Sequence, residues 1–292
     1  MAKRSPESRG NLGHGERDVL TDADRVRLTR SISEQVYPAG KRGRLSILPS
    51  GSLGGKDSAH DVYFAEDQVG AGGVVAIKRF RRLESAEHEL AAMAEIGERG
   101  LKTFQAVGKG IYDGGNLGYA LVTERMPGLT TMNQIGWRDA RPGEPDYEDY
   151  ATTLRSMATY AGELHAAGVA HGDFQIKNIG AASTVTGSEF VTFDVEGVTF
   201  SDSAEDFAFD GKRIEDLTKM TRTLVSAGFL ANATPVVFEE ELTANVLEPY
   251  WDANPSGMVI EQWPAVMAVA ELERPRPGTT AGAAGYLALS QV

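Results

Sequence analysis

Residues 171–178 read HGDFQIKN, and FDVEG closes an apolar, strand-like run at 193–197; no other feature constrains this chain as much. The octet follows a helix-periodic segment. Loops fixed between regular elements display side chains to ligands on a rigid scaffold. Asp173, Asn178 and Asp194 therefore stand in the order and rough spacing of a base and two metal ligands for phosphoryl transfer. A capped turn alone explains neither the following FDVEG nor the preceding helix.

The sequence around this pair changes period once. Residues 21–36 predict a helix capped by Thr21 or Asp22. RLSILP at 44–49, DVYFA at 61–65, GVVAIKRF at 73–80 and GYALVTER at 118–125 predict strands, the second and third forming a hairpin. Between them, 84–97 has helical spacing, with Leu83, Ala86, Leu90, Met93 and Ala94 on its apolar face and Gly97 and Gly100 ending it. After Pro127-Gly128 the pattern becomes mostly helical. Residues 150–167 place Leu154, Met157, Ala158, Ala161, Leu164 and His165 on one face, and Ile214, Leu217, Met220 and Leu224 mark a later helix. A short strand near 178–181, a turn and a strand over 190–193 lie between these helices, and 235–270 reads as interrupted helix. Strands first and helices afterwards predict an α+β fold with two unequal lobes and a seam near 126–132.

Composition narrows the chemistry. The chain has 292 residues, a formal net charge of −12 and no cysteine. A broad nucleic-acid-binding surface is not expected, because phosphate backbones need clustered Lys and Arg. Thiolate nucleophiles, disulfides and Cys-ligated zinc are excluded. The five histidines are scattered, with no HExxH. MAKRSPESRG lacks the apolar core of a secretory signal, and no run approaches a membrane span, so a cytoplasmic protein without membrane contact is expected.

Phosphoryl transfer also needs a cation and a cradle on the phosphates. Ala76 and Lys78 share one face of a strand, leaving room for a flat base beside a lysine that reaches phosphate oxygens. A half-buried lysine needs a carboxylate partner, and Glu89 on the following helix is the candidate, with Glu84 and Glu87 as rivals. In PSGSLGG, Gly51, Gly54 and Gly55 let backbone N–H groups approach phosphates. Asp173 accepts or orients an acceptor hydroxyl, Lys177 is a cation for the transferring phosphate, and His171 braces the loop. Magnesium shared by Asn178 and Asp194 satisfies both; Glu196 is either a further ligand or a surface acid.

In this order, over roughly residues 45–225, the motifs resemble the protein-kinase-like superfamily. PSGSLGG is similar to the tip of a glycine-rich loop, with Pro49 at the place of its first glycine. VVAIKRF resembles the strand of the phosphate-binding lysine, and Glu89 matches its helix partner. LVTERMPG resembles a hinge, which implies Thr123 as gatekeeper and the backbone of Glu124 and Met126 as adenine contacts. FDVEG stands where such kinases carry DFG. The resemblance implies ATP and Mg2+ as cofactors and a bilobal fold: an extension over 1–40 that is partly disordered, a small β-rich lobe over 41–126, a helical lobe over 127–273 and a flexible tail over 274–292.

The departures are as informative. Gly172 replaces the arginine of HRD, so control by a phosphorylated activation loop is not expected. Gln175 replaces the lysine common in Ser/Thr kinases. No APE motif follows Asp194, and Asp216 arrives soon after, implying a short activation segment. GGKDSAHDVYFA is similar to the GKExDVYxA loop of RIO kinases, whereas HGDxxxxN is shared with aminoglycoside and choline phosphotransferases. The expected function is an atypical Ser/Thr-type protein kinase. The alternatives are a small-molecule kinase and a nucleotide-binding pseudokinase scaffold.

Overall fold

The computed structural model describes residues 20–37, 45–48, 62–67, 73–126, 128–137, 142–184, 187–202, 207–255 and 257–274. The glycine candidates Gly51, Gly54 and Gly55 lie outside these residues. The first helix, α1 (Asp22–Val36), starts at Thr21, whose hydroxyl accepts from the Asp24 amide. Five strands follow: β1 (Leu45–Ile47), β2 (Val62–Asp67), β3 (Val74–Phe80), β4 (Ala106–Asp113) and β5 (Tyr119–Glu124), with α2 (Leu83–Glu98) between β3 and β4. They form one antiparallel sheet in the order β1-β2-β3-β5-β4.

Alternation along the strands divides this sheet into two faces. Tyr63, Ala65, Val75, Ile77, Ala120 and Val122 pack against Leu28 and Ile32 of α1. Both α1 residues are fully buried, which contributes roughly 1.5–3 kcal/mol each. The other face carries Ala76, Lys78 and Phe80 toward α2 and the helical half. On α2 the buried stripe is Ala86, Glu89, Ala92, Met93 and Ile96. Ala94, expected on the apolar face, is exposed, and the acid Glu89 is inside instead.

The second half begins with β6 (Leu129–Thr131) and α3 (Tyr147–Ala166), the latter starting three residues earlier than its periodicity predicts. Then come β7 (Val169–Ala170), a 3-10 turn over Ile176–Asn178, β8 (Ile179–Thr184), β9 (Gly187–Thr192), a 3-10 turn over Val195–Gly197 and β10 (Thr199–Phe200). Helices α4 (Phe207–Ser226), α5 (Pro235–Leu242), α6 (Glu248–Ala253) and α7 (Gly257–Glu273) complete it, with a π-helical turn joining α5 to α6. β8 and β9, where a strand, a turn and a strand were expected, pair as an antiparallel hairpin with Ile179 opposite Thr192. None of the described helices is long and apolar enough to cross a membrane.

Candidate active site

β3 and α2 bring Lys78 and Glu89 together at 2.6 Å, and Lys78 also pairs with Asp194 at the end of β9. Glu84 and Glu87 are exposed, which settles the choice among the three acids. Burial acts to lower the pKa of Lys78, but Glu89 and Asp194 outweigh it and hold the ammonium above its ordinary value. Burial raises the pKa of Glu89, and Lys78 only partly counters it. Lys78 is thus a firmly charged group shared by two carboxylates from opposite halves of the chain. Asp194 sits in the left-handed region (φ 55°), which Asp tolerates better than most residues. The turn after it docks on α2, where His88 Nε2 donates to the Glu196 carbonyl at 3.0 Å. The Glu196 side chain itself is exposed.

The 171–178 loop is built from hydrogen bonds. Asn178 Nδ2 donates to both the carbonyl oxygen and Oδ2 of Asp173, each at 2.9 Å. Gln175 Nε2 donates to Asp173 Oδ1 at 2.5 Å. With its amide hydrogens directed at Asp173, Asn178 has Oδ1 left for a cation. The Phe193 amide donates to the Asn178 carbonyl at 2.8 Å, and this bond brings Asn178 beside Asp194. One carboxylate and one amide oxygen suit Mg2+, which takes few protein ligands and completes its shell with water and phosphate oxygens. Among the described residues, no group of three His, Asp or Glu side chains could hold a metal unaided.

His171 braces the loop, as expected. Its Nδ1 accepts from the Asp173 amide at 3.2 Å, so Nε2 carries the proton and donates to the Phe193 carbonyl at 2.7 Å. Burial lowers its pKa and keeps it neutral. Gly172 has φ +79°, and a Cβ there would lie 2.4 Å from the Gly197 carbonyl oxygen. Arginine cannot stand at this position while the loop and the Asp194 turn pack backbone to backbone.

On the nucleotide side, Thr123 is buried directly opposite Ala76, with Leu121 opposite Lys78. Phe64 of β2 is the other neighbour of Ala76, an aromatic ring that sequence reasoning passed over. The Glu124 amide is used by the Gln105 carbonyl at 2.8 Å, whereas the Met126 N–H has no hydrogen bond among the described residues. Lys177 is exposed and makes no ion pair among the described residues. Lys78, Glu89, Asp173, Asn178 and Asp194 are therefore brought together; Lys177 faces solvent beside them.

This geometry has a counterpart in known proteins. Residues 76–232, more than half of the chain, match the lipopolysaccharide kinase (Kdo/WaaP) family. The chain belongs to that family. The protein-kinase-like superfamily and the kinase activity expected from the motifs hold, and the family within the superfamily is one the motifs alone had not named. A solved structure titled "WaaP in complex with acyl carrier protein" is similar with a TM-score of 0.50 at 17% identity, covering 88% of this chain and 96% of that one. That likeness shows a shared fold. No curated protein matches the sequence.

In this Kdo/WaaP-family kinase, two site groups come from α4. Asp216 is fully buried; its carboxylate accepts from the amides of His171 at 2.6 Å and Gly172 at 2.8 Å, and His165 Nε2 lies 3.3 Å away. Lys219 stands one turn further, near Asp173. The far end of α2 is also clamped: Arg99 Nη1 donates to the carbonyls of Ala167 and Ser201, both at 2.9 Å. Asp216 was visible in the sequence only as an early acid after Asp194. Lys219 and Arg99 had no local signal, because their partners are distant in the chain.

Proposed function

We propose that this chain transfers the γ-phosphoryl group of ATP to a hydroxyl on a sugar of a lipopolysaccharide. The observation that carries the phosphotransfer reading is the convergence of Lys78, Glu89 and Asp194 on one side with the Asp173–Asn178 pair on the other. The family supports the acceptor class. The short connection also supports it: β10 ends at Phe200 and α4 begins at Phe207, which leaves little chain for a peptide-docking segment. Kinase chemistry on Ser/Thr side chains is the reading this disfavours.

In the proposed reaction Asp173 receives the acceptor proton as the hydroxyl oxygen forms a bond to the γ-phosphorus. The bridging P–O bond to the β-phosphate breaks, and its electron pair leaves with ADP. Lys78, oriented by Glu89, contacts the phosphate oxygens. Asn178 Oδ1 and Asp194 would hold Mg2+, which would supply positive charge to neutralise the phosphates. Met126 offers its free N–H to the adenine, and Phe64, Ala76 and Thr123 cover the ring. Lys177 stays a candidate for outer phosphate contact.

The test is radiolabel transfer from ATP to purified lipopolysaccharide, with a protein extract as competing acceptor. Asp173→Ala should lower the rate by about 10²–10⁴-fold with unchanged melting temperature. Label confined to protein would overturn the acceptor class, and wild-type-like transfer by the variant would overturn the role of Asp173.

A further inference from the structure

The lysine of the loop that carries Asp173, Lys177, makes no ion pair with Asp173 among the described residues. The residue two places on is Gln175, which donates to Asp173 Oδ1, and Lys177 is exposed. Lys219 of α4 fills that gap from outside the loop. Its Nζ lies 3.9 Å from Asp173 Oδ1, is held by Glu215 Oε1 at 2.8 Å, and donates to the Gly172 carbonyl. About a quarter of its side chain is exposed (26%), so the ammonium is fixed without being sealed from a ligand.

The helix register makes this placement firm. Asp216, Lys219 and Thr223 lie on one face of α4, at spacings of three and four. Asp216 takes the amides of 171 and 172, Thr223 Oγ1 accepts from the Ile176 amide at 3.3 Å, and Lys219 stands between them. The same ridge that fixes the loop backbone therefore delivers a positive charge to Asp173.

We infer that Lys219 is the cation of the transfer step, supplied by α4 in place of a loop lysine. The inference rests on the phosphotransfer reading above. As the acceptor oxygen bonds to the γ-phosphorus and the bridging P–O bond breaks toward ADP, Lys219 stabilises the charge on the phosphoryl oxygens and keeps Asp173 in place to take the proton.

The experiment measures ADP formation from ATP, with and without lipopolysaccharide, for the wild type, Lys219→Met, Lys219→Arg and the double variant Lys219→Met/Gln175→Lys. Lys219→Met should lower kcat by about 10²–10³-fold, with little change in KM for ATP or in melting temperature. Lys219→Arg should retain part of the activity. Gln175→Lys, which puts a cation on the loop from the other side, should restore at least about a tenfold of the loss. A purely structural Lys219, serving only the Gly172 carbonyl, gives a lower melting temperature and no rescue by Gln175→Lys; that result, or near-wild-type kcat in Lys219→Met, overturns the inference. A wild-type protein that forms no ADP under either condition overturns instead the phosphotransfer reading on which it stands.

Discussion

Asp216 and Asp194 are both carboxylates set against the 171–178 loop, and they are held in opposite ways. Asp216 is fully buried, and its oxygens are taken by two backbone amides and faced by a histidine. Asp194 is 29% exposed at its side chain, sits in a left-handed backbone conformation, and pairs with the ammonium of Lys78. One carboxylate is committed to the loop backbone, while the other is paired with the lysine of β3. An acid filled by backbone amides builds a site, and an acid paired with a lysine of that site stands in it.

Three substitutions put that contrast at risk. The largest effect belongs to Asp194→Ala: turnover should fall by about 10³-fold while the melting temperature changes little, since Lys78 keeps Glu89 as its counter-ion. A variant that melts early and still turns over would reverse the assignment. Asp216→Ala comes next. It orphans two backbone amides, at roughly 1–3 kcal/mol each, so chemical denaturation should show a loss on the order of 3 kcal/mol. A loss of activity without a loss of stability would make Asp216 a ligand rather than a brace.

The smallest effect concerns His171. Burial lowers its pKa in the folded loop, so below the ordinary histidine value of about 6.5 the unfolded chain binds a proton that the folded chain refuses. Its contribution to stability is complete above that value and is lost as pH falls through it. Between about pH 7.5 and about pH 5.5 the urea midpoint should therefore fall further in the wild type than in His171→Gln. Equal falls would mean that this histidine titrates alike in both states.

What the sequence disclosed and what it withheld divide along chain distance. The VAIK strand, its hairpin partner, α3 and the 171–178 loop all carry a local period or a dense motif, and each is where the residues place it. β4 escaped notice because Gly108 and Gly110 adopt positive φ and interrupt its alternation with a bulge. β7 and β10 escaped because each is two residues long and exists only through its partner. In the site, Glu89 could be named from its place flanking the apolar face of α2, with Glu84 and Glu87 as rivals. Lys219 could not, since nothing within α4 marks which of its cations turns toward Asp173; only the docking of α4 under the loop decides that. The role of residues 22–36 was likewise hidden, because a helix that caps the outer face of a sheet looks in sequence like any other amphipathic helix.

The backbone contact between Gly172 and Gly197 also bears on how such a kinase can change over evolutionary time. The constraint lies on position 172: a Cβ there meets the Gly197 carbonyl, whereas one at 197 makes only ordinary contact with the His171 carbonyl. A switch that reads a phosphate through an arginine at position 172 is therefore not one substitution away. The turn after Asp194 would have to retreat first, at the expense of its seat on α2.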